Sequence, residues 1–169
     1  MQFFILFLLS FTILSAEPIT PIPLSVEVDK QKVALGEKLF FDTILSADNT
    51  ISCATCHDLQ NGGDDGLKFS FGIDGKEGDI NSPTVYNAVY NFRQFWNGRA
   101  SDLAHQTWGP IENPVEMGNS FQKLIYTLNK TSYREEFLDI YEDGITKNNI
   151  ADTIAEYEKT LITPNAPFG

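Results

Sequence analysis

Apolar residues recur at helical spacing in several stretches of the chain, with polar residues between them. Between Lys30 and Phe41 the apolar side chains fall on neighbouring faces of a helix. Three later stretches, after Ser120, Ser132 and Gly144, repeat that spacing. Their periodic residues are Phe121, Leu124, Ile125 and Leu128, then Phe137, Ile140 and Tyr141, then Ile150, Ile154, Tyr157 and Leu161. The sequence contains no convincing pair of strands and no internal repeat, so the pattern predicts an all-α fold.

Polar and helix-breaking residues predict where some of these helices begin and end. Ser132 and Glu135 have the spacing of a capping box, and Gly144 is placed to stop the helix that follows them. A further short helix is expected from Ser101 to Trp108. It should end at Gly109–Pro110, because proline disrupts the interior of a helix.

The segment from Asn61 to Asp79 is rich in glycine and acidic residues, and it interrupts the helical pattern. Its six glycines leave no room for a helix or a long strand. A loop of this length in a small domain is commonly functional or mobile, although a solvated surface loop is the alternative for any one of its residues.

Length and charge limit the classes of function. A chain of 169 residues is long enough for one domain with a buried core. Its net charge of −11 argues against nucleic acid and anionic membrane surfaces, and it would steer a basic partner protein towards the chain. Only His57 and His105 are available as histidine ligands, and the two cysteines stand close together.

The strongest chemical signal is the pentapeptide Cys53-Ala54-Thr55-Cys56-His57, which has the C-x-x-C-H form of a c-type haem attachment motif. Two thiols at this spacing lie on one side of a helical turn, where each can form a thioether bond to a vinyl group of the porphyrin. His57 then supplies the proximal imidazole to the iron. The alternatives fit less well: a redox pair lacks the βαβ pattern, a zinc site lacks further cysteines, and a disulfide this close would be strained.

An apolar run from Phe3 to Ala16 precedes the domain. It is shorter than the ~20 residues that span a bilayer, and it ends in small residues, so residues 1–16 are expected to be a signal peptide cut near Ala16. The run has no preceding Lys or Arg, which leaves an uncleaved anchor as the alternative. With a cleaved signal peptide or with an uncleaved anchor, residues 17–169 are expected to be exported to the bacterial periplasm, where c-type haem attachment takes place.

Several motifs together resemble one family. They are Leu35–Asp42, Ser52–His57, Asn81–Thr84, Phe95–Ala100 and Gly109–Met117. In order and spacing they resemble the bacterial di-haem cytochrome c peroxidase (MauG-type) family, and the chain is similar to its N-terminal, peroxidatic haem domain. The resemblance implies a cytochrome c-like helical domain wrapped around one covalent haem c. It also implies reduction of hydrogen peroxide to water with electrons from a small c-type cytochrome or another periplasmic donor.

The same resemblance assigns roles to individual residues. Gln106 and Glu116 match the distal pair of the family, Trp96 matches the tryptophan between the two haems, and Asn81 matches a ligand to an interdomain calcium. The distal roles agree with the chemistry, since a carboxylate can move a proton between the two peroxide oxygens and a neutral amide can hold the peroxide. If the full-length protein exists, a homodimer is one expected form of it.

Two departures from the family leave alternatives open. Ile73 stands where members that need reductive activation carry a loop histidine, and no second C-x-x-C-H precedes Gly169. We therefore expect a truncated peroxidase domain, from either a fragment or a shortened gene. The alternative is a mono-haem electron carrier whose sixth ligand is Met117 or His105, and a remnant that only binds haem is the third reading.

Overall fold

The computed structural model describes residues 21–165. The predicted signal peptide, residues 1–16, lies outside them. Six α-helices follow in order within the described residues: α1 (Lys30–Phe41), α2 (Cys53–Cys56), α3 (Leu103–Glu112), α4 (Phe121–Leu128), α5 (Tyr133–Leu138) and α6 (Lys147–Glu158). Between residues 21 and 165 the β-type pairing is limited to three isolated bridges. The predicted all-α fold is therefore confirmed.

Helices α1 and α6 form the centre of the packing, and they cross at Gly36. A Cβ at this position would overlap the backbone carbonyl of Thr153, so only glycine lets the two helices approach this closely. Lys32 of α1 also pairs with Asp152 of α6, with 2.7 Å between Nζ and Oδ2. The largest fully buried side chains around this crossing come from α1, α4, α5 and α6: Leu39, Phe40, Leu124, Leu128, Phe137, Ile150 and Ile154.

The bounds of α1 match the prediction, whereas those of α3 do not. Asp102, not Ser101, caps α3, because its Oδ1 accepts a hydrogen bond from the backbone N–H of His105 at 2.8 Å. The helix then continues through Pro110 to Glu112. Proline removes one helical hydrogen bond but does not stop this helix, which leads directly into the turn that carries Glu116.

The capping box expected at Ser132 and Glu135 is also wrong. The Ser132 side chain makes no cap hydrogen bond, and Thr131 Oγ1 accepts from the backbone N–H of Tyr133 at 3.2 Å instead. Helix α5 ends at Leu138, well before Gly144. Residues 61–79 contain no α-helix and only one short 3₁₀ turn, as their glycines predicted. Within residues 21–165, no helix is long and apolar enough to cross a bilayer.

Candidate functional site

A deep cavity lies between α2, the loop of residues 70–97, α3, the turn after α3 and the C-terminal end of α6. Together with its mouth it contains about 1460 Å³ of empty space. Cys53, Cys56 and His57 line it, although they are distant in sequence from most of its walls. Much of the remaining lining is apolar and includes Ile51, Val85, Leu103, Ile111 and Ile154.

Helix α2 is a single turn that presents the two cysteines to this cavity. The backbone N–H of Ser52 donates to Oγ1 of Thr55 at 3.0 Å, which fixes the start of the turn. Burial raises the pKa of both thiols, and for Cys56 to about 11. Both thiols therefore face the cavity in the protonated form, which argues against a reactive thiolate or a metal-thiolate site at this turn.

The imidazole of His57 is held by the glycine-rich loop. Its Nδ1 lies 3.3 Å from the carbonyl oxygen of Gly63. Burial lowers the pKa of His57, which favours the neutral ring with Nδ1–H donating to that carbonyl and Nε2 left as a free ligand. Gly63 has φ +79°, and a Cβ there would meet Thr84 and Tyr86. The loop therefore orients the His57 ring.

Glu116 lies in the turn after α3 and lines the same cavity. Its Oε1 accepts a hydrogen bond from Nδ2 of Asn113 at 2.6 Å. Burial raises the pKa of the carboxyl above its ordinary range, and this outweighs the opposing effects of the Asn113 hydrogen bond and the Arg99 charge. A half-buried acid with a raised pKa is better suited than an ordinary surface carboxylate to take up and return a proton.

Gln106 and His105 are neighbours on α3 but face different surroundings. Gln106 lines the cavity, and His105 does not. The exposed His105 ring packs against Trp108 at 5.0 Å between centroids, and its Nδ1 accepts from the backbone N–H of Ser101 at 3.2 Å. Successive helical residues point about 100° apart, which separates the two side chains. The structure therefore brings Gln106, but not His105, to the candidate site.

Trp96 and Asn81 meet at the edge of the cavity. The Trp96 side chain is 64% exposed, and its Nε1 donates to the backbone carbonyl of Asn81 at 3.3 Å. The acidic cluster typical of a metal site is missing here, since residues 21–165 contain no group of three or more His, Cys, Asp or Glu placed to hold an ion. The role of Asn81 as a calcium ligand therefore stays a prediction.

Met117 and Ile73 are both buried near Glu116. Met117 is 3% exposed and lines the cavity, so the structure places the alternative thioether ligand in the same site. Ile73 is also buried, and its backbone N–H donates to the carbonyl of Glu116 at 2.8 Å. The loop therefore holds the backbone of the turn that carries Glu116.

Two further residues of the site were not predicted from the sequence. Asn113 stands three positions before Glu116 in a turn, a spacing that allows its amide to reach the carboxylate. Glu158 lies at the end of α6, 6% exposed, and lines the cavity without a hydrogen bond to its carboxyl from any described residue. Burial raises its pKa to about 8. Its position four residues after Ile154, on the apolar face of α6, was the signal that would have revealed it.

The cavity fits a covalently bound haem. Two thiols on one helical turn can reach adjacent vinyl groups, a neutral imidazole has Nε2 available for iron, and apolar walls can pack the macrocycle. Cys53, Cys56 and His57 would hold the group, and Gln106 and Glu116 would provide polar groups within the same space.

Comparison with known families agrees with this geometry. A family model described as di-haem cytochrome c peroxidase matches residues 30–169. The chain belongs to this family. Membership implies a c-type haem, as the C-x-x-C-H motif predicted.

Named relatives are similar to most of the chain. The cytochrome c peroxidase Ccp of Escherichia coli K12 is 52% identical over 154 residues, covering 90% of this chain and 33% of the relative. The cytochrome c551 peroxidase of Pseudomonas aeruginosa is 43% identical over 148 residues, covering 83% and 42%. The methylamine utilization protein MauG of Methylophilus methylotrophus is 32% identical over 150 residues, covering 88% and 45%. The chain therefore spans between a third and a half of these relatives.

Solved structures with low sequence identity share the fold. The crystal structure of a MauG-like protein associated with microbial copper homeostasis has a TM-score of 0.74 at 23% identity, covering 90% of this chain and 47% of that one. The di-haem peroxidase BthA of Burkholderia thailandensis E264 has a TM-score of 0.68 at 23% identity, covering 79% and 39%. A cytochrome c-like helical fold is consistent with both.

Proposed function

We propose that residues 17–169 form the peroxide-reducing haem domain of a cytochrome c peroxidase, exported to the periplasm by the signal peptide. The observation that carries the proposal is the placement of Glu116 and Gln106 in the cavity that His57 and the two cysteines also line. The family and the named relatives support the reaction class.

The bound haem would supply the redox-active iron at which the oxygen–oxygen bond of peroxide is cleaved. Within the cavity, Gln106 holds the peroxide by its neutral amide, which does not titrate. Glu116 accepts the proton of one peroxide oxygen and returns it to the other, which leaves as water. Its raised pKa makes the carboxyl effective in both directions. In total, two electrons and two protons convert one hydrogen peroxide into two waters.

The electrons come from a small c-type cytochrome, on this proposal. The net charge of −11 supports it, because an acidic surface attracts a basic donor over long range. The proposal assigns to Trp96 a position between this haem and an electron-entry haem, and its exposure at the mouth of the cavity supports that role. That second haem would belong to the part of the relatives that this chain does not span, as would most calcium ligands beside Asn81.

An electron carrier without catalysis is the second candidate function. One observation favours it: Met117 lines the cavity and offers a thioether ligand to the iron. A permanent sixth ligand would exclude peroxide from the iron, so the two functions make opposite predictions for the ferric spectrum.

Substitution of Glu116 by glutamine tests the proposed function. Glutamine is nearly isosteric but cannot exchange a proton, so the rate of the peroxide-driven Soret change should fall ~10²–10⁴-fold. The matched control is Glu112→Gln at the end of α3, four residues before Glu116, where the exposed carboxylate pairs with Lys147 at 3.1 Å. It should react at the wild-type rate. An unchanged rate in Glu116→Gln would remove Glu116 from the reaction.

A further inference from the structure

Asn113 ends α3 and ties together the turn that carries Glu116. Its backbone N–H donates to Gly109 at 2.9 Å, and its backbone carbonyl accepts from Glu116 at 3.0 Å and from Gly118 at 2.8 Å. Its side chain reaches in two directions. Oδ1 accepts from the backbone N–H of Val115 at 3.1 Å, and Nδ2 donates to Oε1 of Glu116 at 2.6 Å.

The orientation of this amide follows from the hydrogen-bond pattern. Val115 N–H can only donate, so the atom that receives it must be the amide oxygen. The amide nitrogen then points to the Glu116 carboxylate, which can only accept when ionised. Exchanging the two atoms would place donor against donor and acceptor against acceptor.

Asn113 is the one direct hydrogen-bond donor to this carboxyl among the described residues. Arg99 acts on it only through its charge, because its guanidinium lies over the Phe95 ring at 3.3 Å and bonds Asn97 at 3.2 Å. Asp79 is the other charged group that acts on it, and its charge raises the pKa of Glu116. Oε1 is thus occupied, and Oε2 remains available.

Contacts from the glycine-rich loop hold a different part of Glu116. Ile73 N–H bonds the Glu116 carbonyl at 2.8 Å, and Lys76 Nζ bonds the Pro114 carbonyl at 3.2 Å. Both fix the backbone of the turn and leave the carboxyl unrestrained. The orientation of the carboxyl therefore depends on Asn113.

We propose that Asn113 is a positioning residue for the acid–base step: it holds Oε1 of Glu116 and so presents Oε2 to the peroxide. This inference rests on the proposed function. A hydrogen bond donated to a carboxylate also favours its charged form, so Asn113 lowers the pKa of Glu116 against the larger, opposing effect of burial.

Two substitutions distinguish a role of Asn113 in holding the Glu116 carboxyl from a role in maintaining the backbone of the turn. Asn113→Ser keeps a short acceptor for the Val115 N–H but cannot reach Glu116. Asn113→Asp keeps the shape and the acceptor but places a second carboxylate against the first. The matched control is Asn129→Ser, at an exposed helix C-cap on α4 where the amide bonds only its own helix at 2.8 Å.

The readout is the pH dependence of cyanide binding to the ferric holoprotein, followed by the Soret shift. Hydrogen cyanide must lose a proton to bind, so the rate should fall below the pKa of Glu116. We expect the midpoint of this fall to rise by about one pH unit in Asn113→Ser, and by more in Asn113→Asp, where like charges repel. The pH midpoint at which the infrared band of the protonated carboxyl appears should rise by the same amount. In Asn129→Ser both midpoints should equal those of the wild type.

The outcomes distinguish the two levels of the proposal. An unchanged midpoint in both Asn113 variants, with the fall abolished in Glu116→Gln, would overturn the role of Asn113 and leave the proposed function standing. Persistence of the fall in Glu116→Gln would instead overturn Glu116 as the base, and with it the role of Asn113.

Discussion

Glu158 should destabilise the domain at neutral pH, and substituting it by glutamine should reverse this. The carboxyl is buried at the end of α6 without a hydrogen-bond partner among the described residues, and burial raises its pKa from 4.5 to about 8. In the unfolded chain the group ionises at its ordinary pKa, so at neutral pH folding must take up a proton. Each pH unit between the two values costs about 1.4 kcal/mol.

The difference between the pKa of Glu158 in the folded and unfolded states determines how stability changes with pH. Below pH 4.5 both states are protonated and Glu158 costs nothing, whereas stability falls as pH rises from 4.5 to 8 and then levels off. At pH 7 the cost is of order 3 kcal/mol, a large part of the stability of a typical domain. Glu158→Gln should therefore equal wild type at pH 4.5 and be more stable by about that amount at pH 7.

Urea unfolding of the holoprotein at pH 4.5, 6, 7 and 8.5, followed by circular dichroism, measures this difference. Glu156→Gln is the matched control on the same helix, because that buried carboxylate accepts from the Asp29 N–H at 2.8 Å and pairs with Lys159. It should lose stability instead of gaining it. A Glu158→Gln advantage that does not vary with pH would refute the reasoning.

Two further predictions concern the haem. Haem should remain on the polypeptide after acid–acetone extraction, as a mass increase that requires both Cys53 and Cys56. Release of the haem from the wild-type chain would contradict covalent attachment. The ferric haem should rest high-spin without prior reduction, because Ile73 has no ligand atom and His105 lies outside the cavity. A low-spin spectrum that becomes high-spin in Met117→Ala would instead establish the electron carrier.

The elements that could be predicted are those whose signals are local. The helix Lys30–Phe41 appears where its periodicity placed it, and Asp29 caps it by accepting from Gln31 N–H at 2.9 Å. The haem motif also needed no tertiary information, since five consecutive residues define it. Gln106 and Glu116 were placed through the family resemblance, and both line the cavity.

The errors arise where packing overrides a local rule. Gly109–Pro110 looks like a helix stop, but α3 packs against α6 and tolerates the missing hydrogen bond. Glu158 was not predicted, because its significance depends on a cavity formed by segments distant in sequence. The direction of the Asn113 amide depends on two partners at once, which the sequence alone does not specify.

The crossing of α1 and α6 at Gly36 also bears on the order of two steps, the docking of α6 and the attachment of haem. Gly36 and Thr153 are far apart in the chain, and contacts of this range form slowly during folding. Until α6 docks, the cavity lacks the wall that contains Ile154 and Glu158, and the thiols remain solvated. Once it closes, the pKa of Cys56 rises to about 11 and its thiolate is almost absent. We therefore expect haem attachment to precede the docking of α6, which then encloses a cofactor that is already bound.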